Sequence, residues 1–229
     1  MTAPHGKLLL IAEYSDAQDG TKAVKKSASK DGPGRPSSMK DPVQSISTAA
    51  AALFAQHGYD KTSLKDIAAA VGITKAGLYY YFETKEELFN SIVLQVLDEM
   101  LGNAVDVVGK AETSQDKVRA FMVSHATYFE NNIDKYRAIF LGRQGKGLPL
   151  TSSQTALRRR YADVLKQILD EGADKGELKS GETAIMARGI LGMLNWMSRW
   201  YDAGGAHKAA DIANMYADIV LAGISIEKT

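Results

Sequence analysis

The stretch 58–88, GYDKTSLKDIAAAVGITKAGLYYYFETKEEL, sets the reading of the whole chain. Ser63 precedes an apolar-periodic run and Asp66 follows three residues later. At that spacing a hydroxyl and a carboxylate satisfy the orphan N–H groups of a helix start. Leu64, Ile67, Ala68 and Val71 then share one helical face. Gly72 comes next, where a helix that must stop in a left-handed residue takes glycine. Ile73 is placed to plug the core, and Thr74 to cap a second helix over 75–82. Thr84 with Glu87 repeats the capping spacing and opens a third helix, with Lys85 in its first turn. Helix, glycine turn and helix within about twenty residues is the helix-turn-helix plan, whose second helix enters the major groove of DNA.

That second helix carries the chemistry. Its first turn holds only Lys75, Ala76 and Gly77, so its backbone can come close to another surface. Leu78 and Phe82, four apart, turn inward and leave Lys75, Tyr79, Tyr80 and Tyr81 partly outward. Three consecutive tyrosines spread over about 200° of a 3.6-residue helix and cannot all be core. Lysine and tyrosine bond phosphate oxygens, and a tyrosine ring also reaches base edges.

Gly58-Tyr59, Thr62-Ser63-Leu64, Asp66-Ile67-Ala68, Gly72-Ile73-Thr74, Gly77-Leu78-Tyr79, Tyr81-Phe82 and Lys85-Glu86-Glu87-Leu88 resemble the DNA-binding domain of the tetracycline-repressor (TetR) family. The resemblance spans residues 43–90. It implies an all-α fold, with a helix-turn-helix DNA-binding domain over 42–88 and a helical ligand-binding and dimerisation domain over 89–229. The DNA-facing set is then Lys61, Thr62, Ser63, Thr74, Lys75, Ala76, Gly77, Tyr79, Tyr80, Tyr81 and Lys85.

Residues 1–41 read as a basic tail. Between Thr21 and Lys40, six basic residues stand against the single acid Asp31, with Gly, Ser and Pro between them. Such a stretch buries too little apolar surface to fold alone. It is either a solubilising linker or a DNA-touching arm. Pro33-Gly34-Arg35-Pro36 is similar to minor-groove arms, which would add Arg35 to the DNA contacts. Residues 5–16 are apolar enough to order locally, without an assigned role. Over the whole chain 28 Lys and Arg balance 27 Asp and Glu, so the basic signal is local. With no cysteine among 229 residues there is neither disulfide nor thiolate chemistry. No apolar run approaches a membrane span or a signal-peptide core, and the expected location is the cytoplasm, at the nucleoid.

Elsewhere the periodicity is helical, without a convincing strand. A first helix runs from Pro42 to His57, and a long fourth continues past Leu88 until glycines at 102 and 109 fray it. Helices follow at Ser114–Asn131, 133–141, 154–172, 182–202 and Ala209–Ile224, with a glycine-rich loop over 142–153. The segment from 182 is apolar on most of its circumference, so more than one side is covered. In the resembled family the last two helices pair with a second subunit, and a charge at Ile190 or Met215 is expected to split the homodimer.

Enzyme chemistry has no foothold in this chain. The four histidines are scattered, no metal-ligand spacing occurs, and neither a nucleophile elbow nor a Walker loop is present. No cofactor is expected. Phe121, Met122, His125, Tyr128, Phe129, Phe140 and Trp196 form an apolar set with a few polar groups, the make-up of a small-molecule site. The segment 192–205, with Asn195, Trp196 and Arg199, resembles the penultimate helix of family members that sense acyl-CoA thioesters. Arg199 and the run Arg158 to Arg160 are then candidates for CoA phosphates. The expectation is a repressor released from an inverted-repeat operator by a small molecule. The alternative is an architectural DNA-binding protein without a ligand.

Overall fold

The computed structural model describes residues 41–140 and 149–226. Residues 1–40 of the tail, with Arg35 and the segment 5–16, and the loop residues 142–148 lie outside the described residues. Nine helices occur among the described residues: α1 Pro42–His57, α2 Leu64–Val71, α3 Lys75–Tyr81, α4 Lys85–Lys110, α5 Ser114–Asn131, α6 Ile133–Phe140, α7 Ser152–Asp174, α8 Thr183–Trp200 and α9 Ala209–Ile224. The fold is all-α; an isolated antiparallel bridge between Leu178 and Ser225 ties the end of α9 to the turn after α7. No helix among the described residues is long and apolar enough to cross a membrane.

The chain divides into two compact units. The first, here called the head, holds α1 to α3, α4 up to Val96, and α6. Asp41 starts it by accepting the Gln44 N–H at 3.0 Å, with Pro42 in the first turn, where a missing N–H costs nothing. Ile46, Ala50, Ala51 and Phe54 of α1 are buried. The Phe54 ring lies 5.4 Å from Tyr59 and 5.7 Å from Phe89, and Tyr59 sits 5.1 Å from Phe89. This aromatic triangle locks the end of α1 to the start of α4. The helix α6 packs against α1, so it belongs structurally with the head.

The second unit, the body, contains α4 from Leu97, then α5, α7, α8 and α9. Here α9 packs on α5, and α7 on both α5 and α8. The Arg119 guanidinium of α5 donates to Asp218 at 2.6 Å and to the Asn214 carbonyl at 3.3 Å, fixing α9 along α5. Gly172, in the last turn of α7, is closely approached by its neighbours. A Cβ there would stand 2.5 Å from Leu178 and 2.9 Å from Ser114.

Several boundaries depart from the periodicity; α7 spans Ser152–Asp174 rather than 154–172, so the loop ends before Ser152. Gly102 and Gly109 do not end α4, which runs to Lys110. Leu101, Ala104, Val105 and Val108 keep one face buried, and that packing outweighs the helix cost of glycine, about 1 kcal/mol each. At the other end of the body, α8 stops at Trp200 rather than 202. Tyr201 turns extended and buries its ring against Phe129, 5.4 Å between centroids.

Candidate nucleic-acid interface and effector site

The helix-turn-helix is built from local hydrogen bonds. The Ser63 hydroxyl accepts the Asp66 N–H at 3.2 Å, and the Asp66 carboxylate accepts the Ser63 N–H at 2.9 Å. Hydrogen bonds from Ser63 hold the Asp66 carboxyl below its ordinary range. Gly72 ends α2 in the left-handed region (φ 73°, ψ 28°), and the Thr74 hydroxyl caps α3 by accepting the Gly77 N–H at 3.0 Å. The caps on either side of the α2–α3 turn are thus bonds between residues three apart.

Leu78 of α3 is fully buried, and Phe82, which caps the helix in an extended conformation instead of ending it as expected, is nearly so. The opposite face presents Lys75, Ala76, Tyr79 and Tyr80, beside the exposed cap Thr74. Tyr80 is 77% exposed, more than any other large hydrophobic side chain described. The Tyr80 and Tyr81 rings meet edge to face at 5.1 Å, and the half-buried Tyr81 thus orients its neighbour. Lys75 holds its ammonium 5.5 Å from the Tyr79 ring centre. Lys61 and Ser63 are exposed at the entry to α2, and Gly77 is half-buried in the first turn of α3.

Two residues of the expected DNA-facing set are spent inside the head. Thr62 is 2% exposed, and its hydroxyl donates to the carbonyls of Gly58 at 2.9 Å and Leu53 at 3.3 Å. Lys85 directs its ammonium at the carbonyl oxygens of Tyr59 (2.8 Å), Thr62 (2.9 Å) and Asp60 (3.5 Å). It also lies 4.3 Å over the Tyr59 ring. Both side chains brace the turn that leads into α2. Neither faces outward as the resemblance implied.

The expected ligand residues fall in different places. Phe121, His125, Tyr128 and Phe129 lie along one buried face of α5, in the body. The Tyr161 ring of α7 packs 4.9 Å from Phe121, and its hydroxyl shares a 2.9 Å hydrogen bond with Nδ1 of His125. Burial pushes the His125 imidazole down to about 3, so it is neutral near pH 7. Tyr128 donates to the Glu99 carboxylate at 2.7 Å, and burial, with that bond, raises its phenol. The Tyr201 hydroxyl similarly donates to Glu130. Arg158 on α7 and Asn195 on α8 are half-buried. Phe140 belongs to the head and stacks on Tyr136 at 4.3 Å.

Trp196 and Arg199 depart from the expected interior set. Trp196 is 60% exposed on the outer face of α8, with the Arg199 guanidinium 4.8 Å above its ring. Ile185 and Trp200 share that face, and Met215 and Ile219 are exposed on α9. Ile190, in contrast, points into the body at 4% exposure. The pattern is α8 buried on one side and apolar but uncovered on the other. Sequence periodicity gave no means of telling the two sides apart.

Comparison with known proteins bears on both regions. Residues 46–92 match the family described as bacterial regulatory proteins, tetR family, and residues 111–224 match the tetracyclin repressor-like C-terminal domain. The solved TetR family transcriptional regulator PfmR from Thermus thermophilus is 34% identical, with a TM-score of 0.73. That match covers 80% of this chain and 99% of PfmR. The chain belongs to the TetR family. It is accordingly a DNA-binding transcriptional regulator and not an enzyme. Another TetR relative, the HTH-type transcriptional repressor KstR2 of Mycobacterium tuberculosis, is 28% identical over 184 residues, 78% of this chain and 90% of KstR2. The fold is shared with the regulator FadR from Bacillus subtilis in complex with stearoyl-CoA (TM-score 0.69, 20% identity, 79% of this chain and 98% of FadR).

Proposed function

We propose that this TetR regulator is a homodimeric repressor, released from an inverted-repeat operator when an acyl-CoA thioester enters the body. The observation that carries the reading is the buried row Phe121, His125, Tyr128 and Phe129 along α5, in a fold that in Bacillus subtilis FadR holds stearoyl-CoA. Rings of this kind match an acyl chain in polarity, and Arg158 and Asn195 are assigned to the CoA head. The similarity to KstR2, a repressor, supports the sign of the regulation. Two copies of α3 presented by a two-fold dimer read half-sites about one DNA turn apart, hence the inverted repeat. The ligand acts only through its differential affinity for the DNA-competent and released states, and a few kcal/mol suffices.

The test uses a duplex recovered by selection from a random pool. Stearoyl-CoA and shorter acyl-CoAs, with stearate and free CoA as controls, are titrated into the labelled complex while anisotropy is followed. Release by acyl-CoA and not by the controls is expected. If no acyl-CoA of any chain length changes the anisotropy, the effector assignment falls while DNA binding stands.

On the DNA side, Lys75 is assigned to phosphate and Tyr80 to a base edge, with Tyr79, Tyr81 and the backbone at Ala76 and Gly77 lining the groove. Lys61, Ser63 and Thr74 flank them, and Arg35 is assigned to the minor groove. Tyr80→Ala is expected to cost about 1–3 kcal/mol on the selected duplex and little on a scrambled one. Lys75→Ala is expected to weaken both alike and to lower the salt slope by about 1. Gel shifts at several salt concentrations separate the two. Wild-type binding by both variants would remove α3 as the reader.

A further inference from the structure

The turn between α1 and α2 turns its carbonyl oxygens toward a single cation. Gly58 leaves α1 at φ 84°, and the next residues run through Tyr59, Asp60 and Thr62 before Ser63 caps α2. The carbonyls of Tyr59, Asp60 and Thr62 all converge on the ammonium of Lys85, more than twenty residues further along the chain. Carbonyl dipoles aimed at one point repel each other unless a positive charge sits there. An ammonium is a compact charge with three donors, matched here to three acceptors. The Tyr59 ring closes the site from one side, with the ammonium 4.3 Å from its centre, and is itself wedged between Phe54 and Phe89.

The consequence lies at the DNA-reading end. The same turn carries the Ser63 cap of α2, and α2 packs directly on α3. Thr62, clamped to Leu53 and Gly58 by its hydroxyl, is a second brace on the same backbone. The path from Lys85 to α3 is therefore a short run of hydrogen-bonded backbone and one helix–helix contact.

We propose that Lys85 is a positioning residue for operator binding: by filling the carbonyl cradle of the α1–α2 turn it fixes where α2 and α3 stand, and it acts on DNA affinity without touching phosphate. Two variants of the full chain test this, Lys85→Met and Lys85→Arg, with Lys75→Met as the phosphate-contact reference. Methionine keeps the stem and loses the charge. Arginine keeps the charge, but its planar fork cannot satisfy three converging carbonyls. Each variant is measured on the selected duplex from about 50 to 300 mM salt, the range over which counterion release is read.

Both Lys85 variants are expected to bind more weakly, on the order of tenfold, comparable to the loss of one good base contact. The dependence of log K on log salt keeps its wild-type slope in both. Backbone amide exchange over residues 59–66 is expected to quicken in both. A phosphate contact predicts otherwise. Lys85→Met would then lose about 0.9 from the slope, as Lys75→Met does, while Lys85→Arg would bind like wild type. Either of those outcomes, or unchanged affinity and exchange in both variants, overturns the proposal. Should Lys85→Met not fold, the arginine variant decides alone.

Discussion

A protein carrying Trp196→Asp and Ile219→Asp is expected to sediment as a folded monomer at micromolar concentration and to lose specific DNA binding. Both positions are largely exposed in the single chain, at 60% and 65%. Exposed Ile185, Trp196 and Trp200 on α8, with Met215 and Ile219 exposed on α9, make the kind of patch that marks a protein interface. The spacing of Ile185, Gly189, Gly192, Trp196 and Trp200 keeps them on one side of α8, while Ala187, Ile190, Leu194 and Met197 fill the body. A Cβ built on Gly189 or Gly192 meets nothing within 4 Å, so another helix has room to approach closely there. Buried in a dimer, two unpaired carboxylates per subunit would cost several kcal/mol each. Exposed in a monomer they cost almost nothing, so helix content and melting cooperativity are retained. The substitution must avoid Ile190, which would report on folding instead of association. Loss of DNA affinity follows because one head alone reads one half-site. A double variant that remains dimeric, or a monomer that binds the full site as tightly as wild type, removes both the α8–α9 interface and the inverted repeat.

The two regions differed in how far they could be read from residues alone, and the reason is the range of the interactions. The caps of α2 and α3 are bonds between residues three apart, so Ser63, Asp66, Thr74 and Gly72 declare them in the sequence. The ends of α5 and α9 fall where periodicity places them, at Ser114–Asn131 and Ala209–Ile224. Lys85 looked outward because its partners, three backbone carbonyls, have no side-chain signature and lie 23 to 26 residues away. Thr62 was misplaced for the same reason, its acceptors being carbonyls of α1 and its end. On α8 the difficulty was different. Apolar residues surround the helix, so the pattern stated burial without stating against what. The split of Ile190 from Trp196 depends on where α5 and α7 sit, which only the folded body specifies.

Acid is expected to destabilise the protein through His125 before the carboxylates titrate. The imidazole is fully buried in the body, its Nδ1 bonded to Tyr161 at 2.9 Å, and the Tyr161 ring also packs 4.9 Å from Phe121. Burial lowers its titration from 6.5 to about 3. For a base held low in the folded state the sign is fixed. Below pH 6.5 the unfolded chain takes up a proton that the folded chain refuses, so stability falls as pH falls. The slope approaches about 1.4 kcal/mol per pH unit and flattens only near pH 3. Between pH 7.5 and 5 the loss is about 2 kcal/mol per protomer, a large share of a typical stability of about 5–15 kcal/mol. His125→Phe keeps an aromatic ring at the site and removes the proton acceptor. It gives up the Tyr161 hydrogen bond, costing about 1 kcal/mol at neutral pH, but it should unfold with a flatter acid limb. Urea midpoints measured from pH 7.5 to 5, at one fixed protein concentration because dimerisation contributes to stability, make the comparison. The two curves are expected to converge and then cross as pH falls, the variant becoming the more stable protein near pH 5. Parallel curves across that range would mean that His125 is solvated or protonated in the native body, and that the core around Phe121 and Tyr161 is not closed to water.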